Sequence, residues 1–130
     1  MKLILKNIMV GVLLFCGAAA FAKPELSYNL PLPGGTLGNE KLQYDTLMPV
    51  YTMAQIKVQD CQKYSVTDTK VTKQPYDLKT ENGAYVDGKW EELWTVSACG
   101  KKVYVPIRFV LDRTGATWAI SEKNVKISDK

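Results

Sequence analysis

Carboxylates and a pair of cysteines carry whatever chemistry this chain can do, because its 130 residues include no histidine. Without imidazole, neither a Ser-His-Asp nor a Cys-His nucleophile can be assembled in its usual form, and the commonest zinc ligand is missing. Of the three cysteines, Cys16 sits in an apolar N-terminal run, which leaves Cys61 and Cys99 as the pair in the folded part. They are too far apart for a C-x-x-C redox motif. A structural disulfide is the economical reading, and it would constrain the unfolded chain by about 4 kcal/mol on the loop-entropy estimate. Oxidised cysteines offer no thiolate to a metal, and there is no glycine-rich phosphate loop. No catalytic, metal or cofactor residues are therefore expected.

Glu91 and Glu92 are the most conspicuous acids. Neighbours on a strand point to opposite faces, so they cannot act together on one bond as a glycosidase pair must. Carboxylate chemistry would have to join Glu92 to Asp112 or Asp68 across a cleft. Glu92 itself falls on an otherwise apolar strand face. It reads either as a strand-end residue reaching water or as a carboxylate held in an apolar site. Trp90, Trp94, Trp118 and Phe109 read as core rather than as a ligand surface, since a chain this short needs them to fold.

The elements that must position these side chains are clearest in the C-terminal half. Residues 90–99 and 102–111 alternate, and Gly100-Lys101 between them reads as a two-residue hairpin turn. That register pairs Ala98 with Val103, Val96 with Val105, Trp94 with Ile107 and Trp90 with Leu111. Asp112-Arg113-Thr114-Gly115 is a second turn, which sets Trp118 opposite Phe109. Pro106 interrupts the middle strand, and Cys99 falls on the face away from the core, so a bulge near Thr95 and Pro106 is expected. The other face, through Leu93, Tyr104, Arg108 and Val110, is less polar than a solvated sheet face, which marks it as a possible partner surface.

Upstream, Leu47, Tyr51, Ala54, Val58 and Cys61 recur at helical spacing, with Asp45 or Thr46 as cap and Pro49 in the first turn. Residues 62–73 suit an edge strand ended by Pro75, and 76–89 read as a loop. The predicted fold is α+β: one helix packed on a four-stranded antiparallel sheet with one disulfide. A small all-β sandwich or barrel is the alternative. Residues 45–130 form this single domain, and residues 23–44, with Pro31 and Pro33-Gly34-Gly35, form an irregular arm.

Residues 1–22 read as a signal peptide: Lys2 and Lys6, an apolar run over 8–15, and Ala20-Phe21-Ala22 as the cleavage pattern after Ala22. The run is shorter than the roughly 20 residues of a membrane span, so no stable anchor is expected. Loss of Lys2 and Lys6 lowers the formal charge from +4 to about +2, and the basic residues are dispersed, which argues against nucleic acid. The sets Trp90-Glu91-Glu92-Leu93-Trp94-Thr95-Val96 with Cys99-Gly100, Val105-Pro106-Ile107-Arg108-Phe109, and Val66-Thr67-Asp68-Thr69-Lys70-Val71 resemble a group of small uncharacterised exported bacterial proteins. The resemblance implies fold and periplasmic or secreted location, and no activity. Together these features favour a non-catalytic exported binding or accessory protein of the bacterial envelope, of which a hydrolase inhibitor is one form. Its expected partner is a protein or envelope component. Two alternatives stand beside it, a small carbohydrate- or peptidoglycan-active enzyme and a structural envelope protein.

Overall fold

Strand alternation over most of the described residues builds one sheet, and a helix and the arm cover one of its faces. The computed structural model describes residues 23–128; the signal peptide read from 1–22 lies outside them. In chain order the elements are β1 (Glu25–Leu26), α1 (Glu40–Lys57), β2 (Lys63–Glu81), β3 (Ala84–Ala98), β4 (Lys101–Asp112), β5 (Gly115–Ala119), a 3-10 turn (Glu122–Asn124) and β6 (Lys126–Ser128). The sheet order is β1-β2-β3-β4-β5, with β6 also on β4. Among the described residues only β1 pairs in parallel. This is the α+β architecture, but with six strands rather than four, curled into a half-barrel.

The β3–β4 register differs from the predicted one by two residues. The turn is Cys99-Gly100, both with positive φ (53° and 78°), as a type I′ hairpin turn requires. Val96 then faces Val103, Trp94 faces Val105 and Trp90 faces Phe109. A two-residue shift keeps every side chain on its face, so the apolar pattern cannot distinguish the two registers. What distinguishes them is Cys99. In the turn it reaches Cys61 just beyond the helix, and the two form the expected disulfide with Cα atoms 5.8 Å apart.

Pro106 sits in β4 without a bulge in the β3 pairing. Counting from the turn, Leu93–Pro106 is a non-hydrogen-bonded pair, so the missing N–H faces the opposite edge. There β5 ends at Ala119, opposite Arg108, and β6 resumes at Lys126, opposite Tyr104. The 3-10 turn takes up the extra residues and carries the chain around the proline. Trp118 faces Phe109, as its spacing predicts.

Two predicted boundaries are corrected. β2 does not end at Pro75; it continues to Glu81 and turns at Asn82-Gly83, so most of the predicted 76–89 loop is a strand hairpin. Pro75 is tolerated because it lies on an edge, where the ladder steps from Lys73↔Glu91 to Tyr76↔Lys89 around it. The helix begins at Glu40 rather than near Asp45, because the Asn39 side chain accepts the Leu42 N–H as an N-cap. Pro49 therefore lies inside the helix, and Val58 and Cys61 follow its end.

The arm is laid over the domain. The Gln43 side chain, buried in α1, accepts from Leu32 N and donates to Gly38 O, each at 2.8 Å. The Tyr51 hydroxyl donates to Ser27 O and accepts from Val66 N, joining arm, helix and β2. Gly34 (φ 102°) lies so close to β2 that a Cβ there would come within 2.2 Å of Thr69 O.

Trp94 is fully buried at the centre of the core. Trp94→Ala is expected to lower unfolding free energy by about 3–5 kcal/mol, read as a shift in denaturant midpoint at constant slope. Burial also holds the Tyr51 phenol above its ordinary pKa of 10.0, with the Val66 N–H opposing. The unfolded chain thus releases this proton more readily than the folded one. The contribution is fully present below the ordinary value and is lost as pH rises through the raised one. Alkaline unfolding should therefore be less steep in pH for Tyr51→Phe than for the parent chain.

Candidate functional site

Strand periodicity puts Trp90, Glu92 and Trp94 on one face of β3, the face that packs on α1. Glu92 is only 1% exposed. It does not reach water at a strand end, because β3 starts well before it at Ala84. Instead its carboxylate accepts three N–H groups. Oε1 takes the Trp94 indole Nε1–H at 2.8 Å. Oε2 takes the Trp90 indole Nε1–H at 2.8 Å and the Leu37 backbone N–H at 2.9 Å. No ion pair joins it to a cation among the described residues. Neutral donors aimed at an ionised acceptor make the stronger class of hydrogen bond, which offsets burial of the charge.

Above this carboxylate, the distal end of the half-barrel opens into a cleft with two lobes that share Leu37 and Trp90. The apolar lobe, about 420 Å³, is lined by those two with Pro75, Leu78, Tyr85, Gly88 and Leu111. The second lobe, about 460 Å³, lies between the start of α1, with Lys41 and Asp45, and the β4–β5 turn. Lys41 and Asp45 pair with each other at 2.8 Å on its rim. Leu37, Leu78 and Tyr85 are 49%, 46% and 60% exposed, a concentration of large apolar side chains around one concavity. The Trp90 ring between them is stacked on Phe109, centroids 5.0 Å apart, and tethered by its indole nitrogen to Glu92. The cleft floor is therefore rigid.

Neither Asp112 nor Asp68 is brought to Glu92. Asp112 lies at the β4–β5 turn, five strand residues past Ile107, the partner of Glu92, or about 17 Å along β4. Its carboxylate accepts the Thr114 hydroxyl and backbone N–H, which hold it below the usual carboxylate range. Asp68 is exposed on β2 opposite Thr95, whose side chain points away from Glu92. Glu91 faces the other side, where it accepts the Tyr76 hydroxyl and pairs with Arg108 at 3.8 Å. Its bond raises the Tyr76 phenol. Among the described residues no cluster of three or more His, Cys, Asp or Glu could hold a metal.

Leu93, Tyr104, Arg108 and Val110 do share the face away from α1. The first, second and fourth are half-buried and Arg108 is exposed. Arg108 borders a concavity of about 300 Å³ beside Pro106, lined also by Glu91 and Glu92, where the chain swings around through Ser121 and Asn124. The cleft, by contrast, is not visible in the sequence, where Leu37 falls in the arm and Leu78 and Tyr85 in the expected loop. The signal available was Tyr76 and Leu78 alternating before Asn82-Gly83, with Tyr85 after it, a hairpin pattern.

Glu92→Ala would leave three N–H groups without an acceptor and is expected to destabilise by about 3–5 kcal/mol. Glu92→Gln keeps one acceptor oxygen and should cost about 1–3 kcal/mol. In either variant the Trp90 and Trp94 indole N–H resonances should move together while that of Trp118 stays, as nitrogen–proton correlation spectra would show.

No protein-family model, curated protein or solved structure matches this chain, so a functional reading rests on the geometry of the site itself.

Proposed function

We propose that this chain is an exported, non-catalytic binding protein whose site is the distal cleft, and that its ligand presents an apolar group to Leu37, Leu78, Tyr85 and Trp90. One observation carries the reading. Three large apolar side chains stand exposed around a concavity whose aromatic floor is locked from beneath by Glu92. Exposed apolar surface costs solubility, and a rigid floor reduces the ordering cost of binding. Both features suit a ligand site. The Cys61–Cys99 disulfide fits an oxidising compartment, in line with the export signal read from residues 1–22. The partner is then a protein or envelope component, and inhibition of an envelope hydrolase is one form such binding takes.

The carboxylate-enzyme reading has less behind it. Both Glu92 oxygens are engaged by N–H donors, and neither Asp112 nor Asp68 is brought to them.

The test is the double variant Leu78→Ser, Tyr85→Ser. Both positions are exposed, so the unfolding midpoint should move by less than about 1 kcal/mol. An anilinonaphthalene sulfonate dye should fluoresce with the native parent protein and lose that signal in the variant. Envelope extract passed over each protein should yield a partner retained by the parent and not by the variant. A partner retained equally by both would place binding elsewhere on the molecule.

A further inference from the structure

The sheet treats its two edges unequally. The β2 edge is blunted along its length. Its start pairs with β1, and further on Gly35 N donates to Thr69 O. Beyond that come exposed Lys70, Lys73, Lys79 and Pro75, with repeated breaks in register. These are the features by which proteins prevent strand addition. The β5 edge has none of them. Its five residues, Gly115–Ala119, read Gly-Ala-Thr-Trp-Ala, with no charge and no proline. Its register with β4 is unbroken, and all five residues are exposed. On the side away from β4, every second N–H and C=O points outward, and no described strand lies beside them.

We propose that β5 pairs antiparallel with β5 of a second copy, about a two-fold axis at Thr117. Backbone donors and acceptors at strand spacing take an extended backbone, and this strand suits its own copy. Being uncharged, it sets no like charges against each other, and the small net charge of the chain adds little repulsion. The register centred on Thr117 uses all five residues. It places Thr117 against Thr117, and Trp118 against Ala116 on the core-side face. Trp118 is 38% exposed in the single chain, so the Ala116 methyl of the other copy covers part of it. Because the opposite edge is blunted, the pairing closes as a dimer instead of propagating into a fibre. One five-residue strand pair is smaller than a standard interface, so the dimer is weak and depends on concentration.

Sedimentation velocity on the exported protein, from about 1 µM to about 1 mM, tests this over the range in which such interfaces associate. The expected result is a mass that rises from one copy to two and stops there. Thr117→Lys sets like charges face to face on the axis and should weaken association at least about tenfold, a change of ~1.4 kcal/mol. Met48→Lys, on the exposed side of α1, should leave association unchanged. Thr117→Cys should cross-link to itself under mild oxidation, giving a covalent dimer on a non-reducing gel. A parent protein that stays monomeric across the range would overturn the proposal, leaving β5 open to a strand of another protein. So would association that survives Thr117→Lys, that disappears with Met48→Lys, or that grows past two copies.

Discussion

The Glu92 carboxylate organises the distal half of the molecule. A buried charge with no cation beside it must find donors, and it can draw them only from groups that hold still. Here they come from three places: the strand residue before it on the same face, the one after it, and the backbone of the arm. Each bond therefore fixes something else. The Trp94 bond sets the orientation of the largest core side chain. The Trp90 bond turns its ring onto Phe109. The Leu37 bond brings the arm across the open end of the half-barrel, where Leu37 becomes the partition between the two lobes of the cleft.

A second constraint, a missing donor, shapes the far edge. Pro106 has no N–H to give the strand beside β4, so that strand is split into β5 and β6 with a turn looped out between them. The split keeps β5 to five residues and creates the concavity next to Arg108. The edge that results is short yet otherwise unguarded. Its shortness is itself a means of limiting strand addition, which is why pairing through it is weak.

The sheet's apolar face was legible in the sequence because alternation is a local property. Val96, Val103, Val105, Ile107 and Phe109 are all buried, whichever of two registers an observer chooses. Register was not legible, because two turns separated by one residue fit the same alternation, and the disulfide that separates them is a long-range fact. The spacing of Leu47, Tyr51 and Ala54 marks the helix. Its start is hidden because buried Gln43 and Thr46 interrupt an apolar pattern, and both are buried only because hydrogen bonds satisfy them. The continuation of β2 past Pro75 was hidden for a related reason. Proline forbids a central strand and not an edge, and edge position is decided by the whole sheet.

The candidate site was the least legible part, and the reason lies in Glu92. An acid on an apolar strand face reads as a strand end or as a functional carboxylate in an apolar site, and sequence alone offers nothing to choose between them. Its actual use depends on two indoles that also read as core and on a backbone N–H from an arm that reads as irregular. A leucine at 92 would suit the alternation better and fill the core. It would also leave the Trp94 indole buried without an acceptor, free the Trp90 ring to swing on Phe109, and remove the one bond from Leu37 to the sheet. Apolar packing could supply comparable stability, but it has no direction. Three hydrogen bonds to one carboxylate do, and the cleft keeps its shape because the group beneath it accepts from fixed angles.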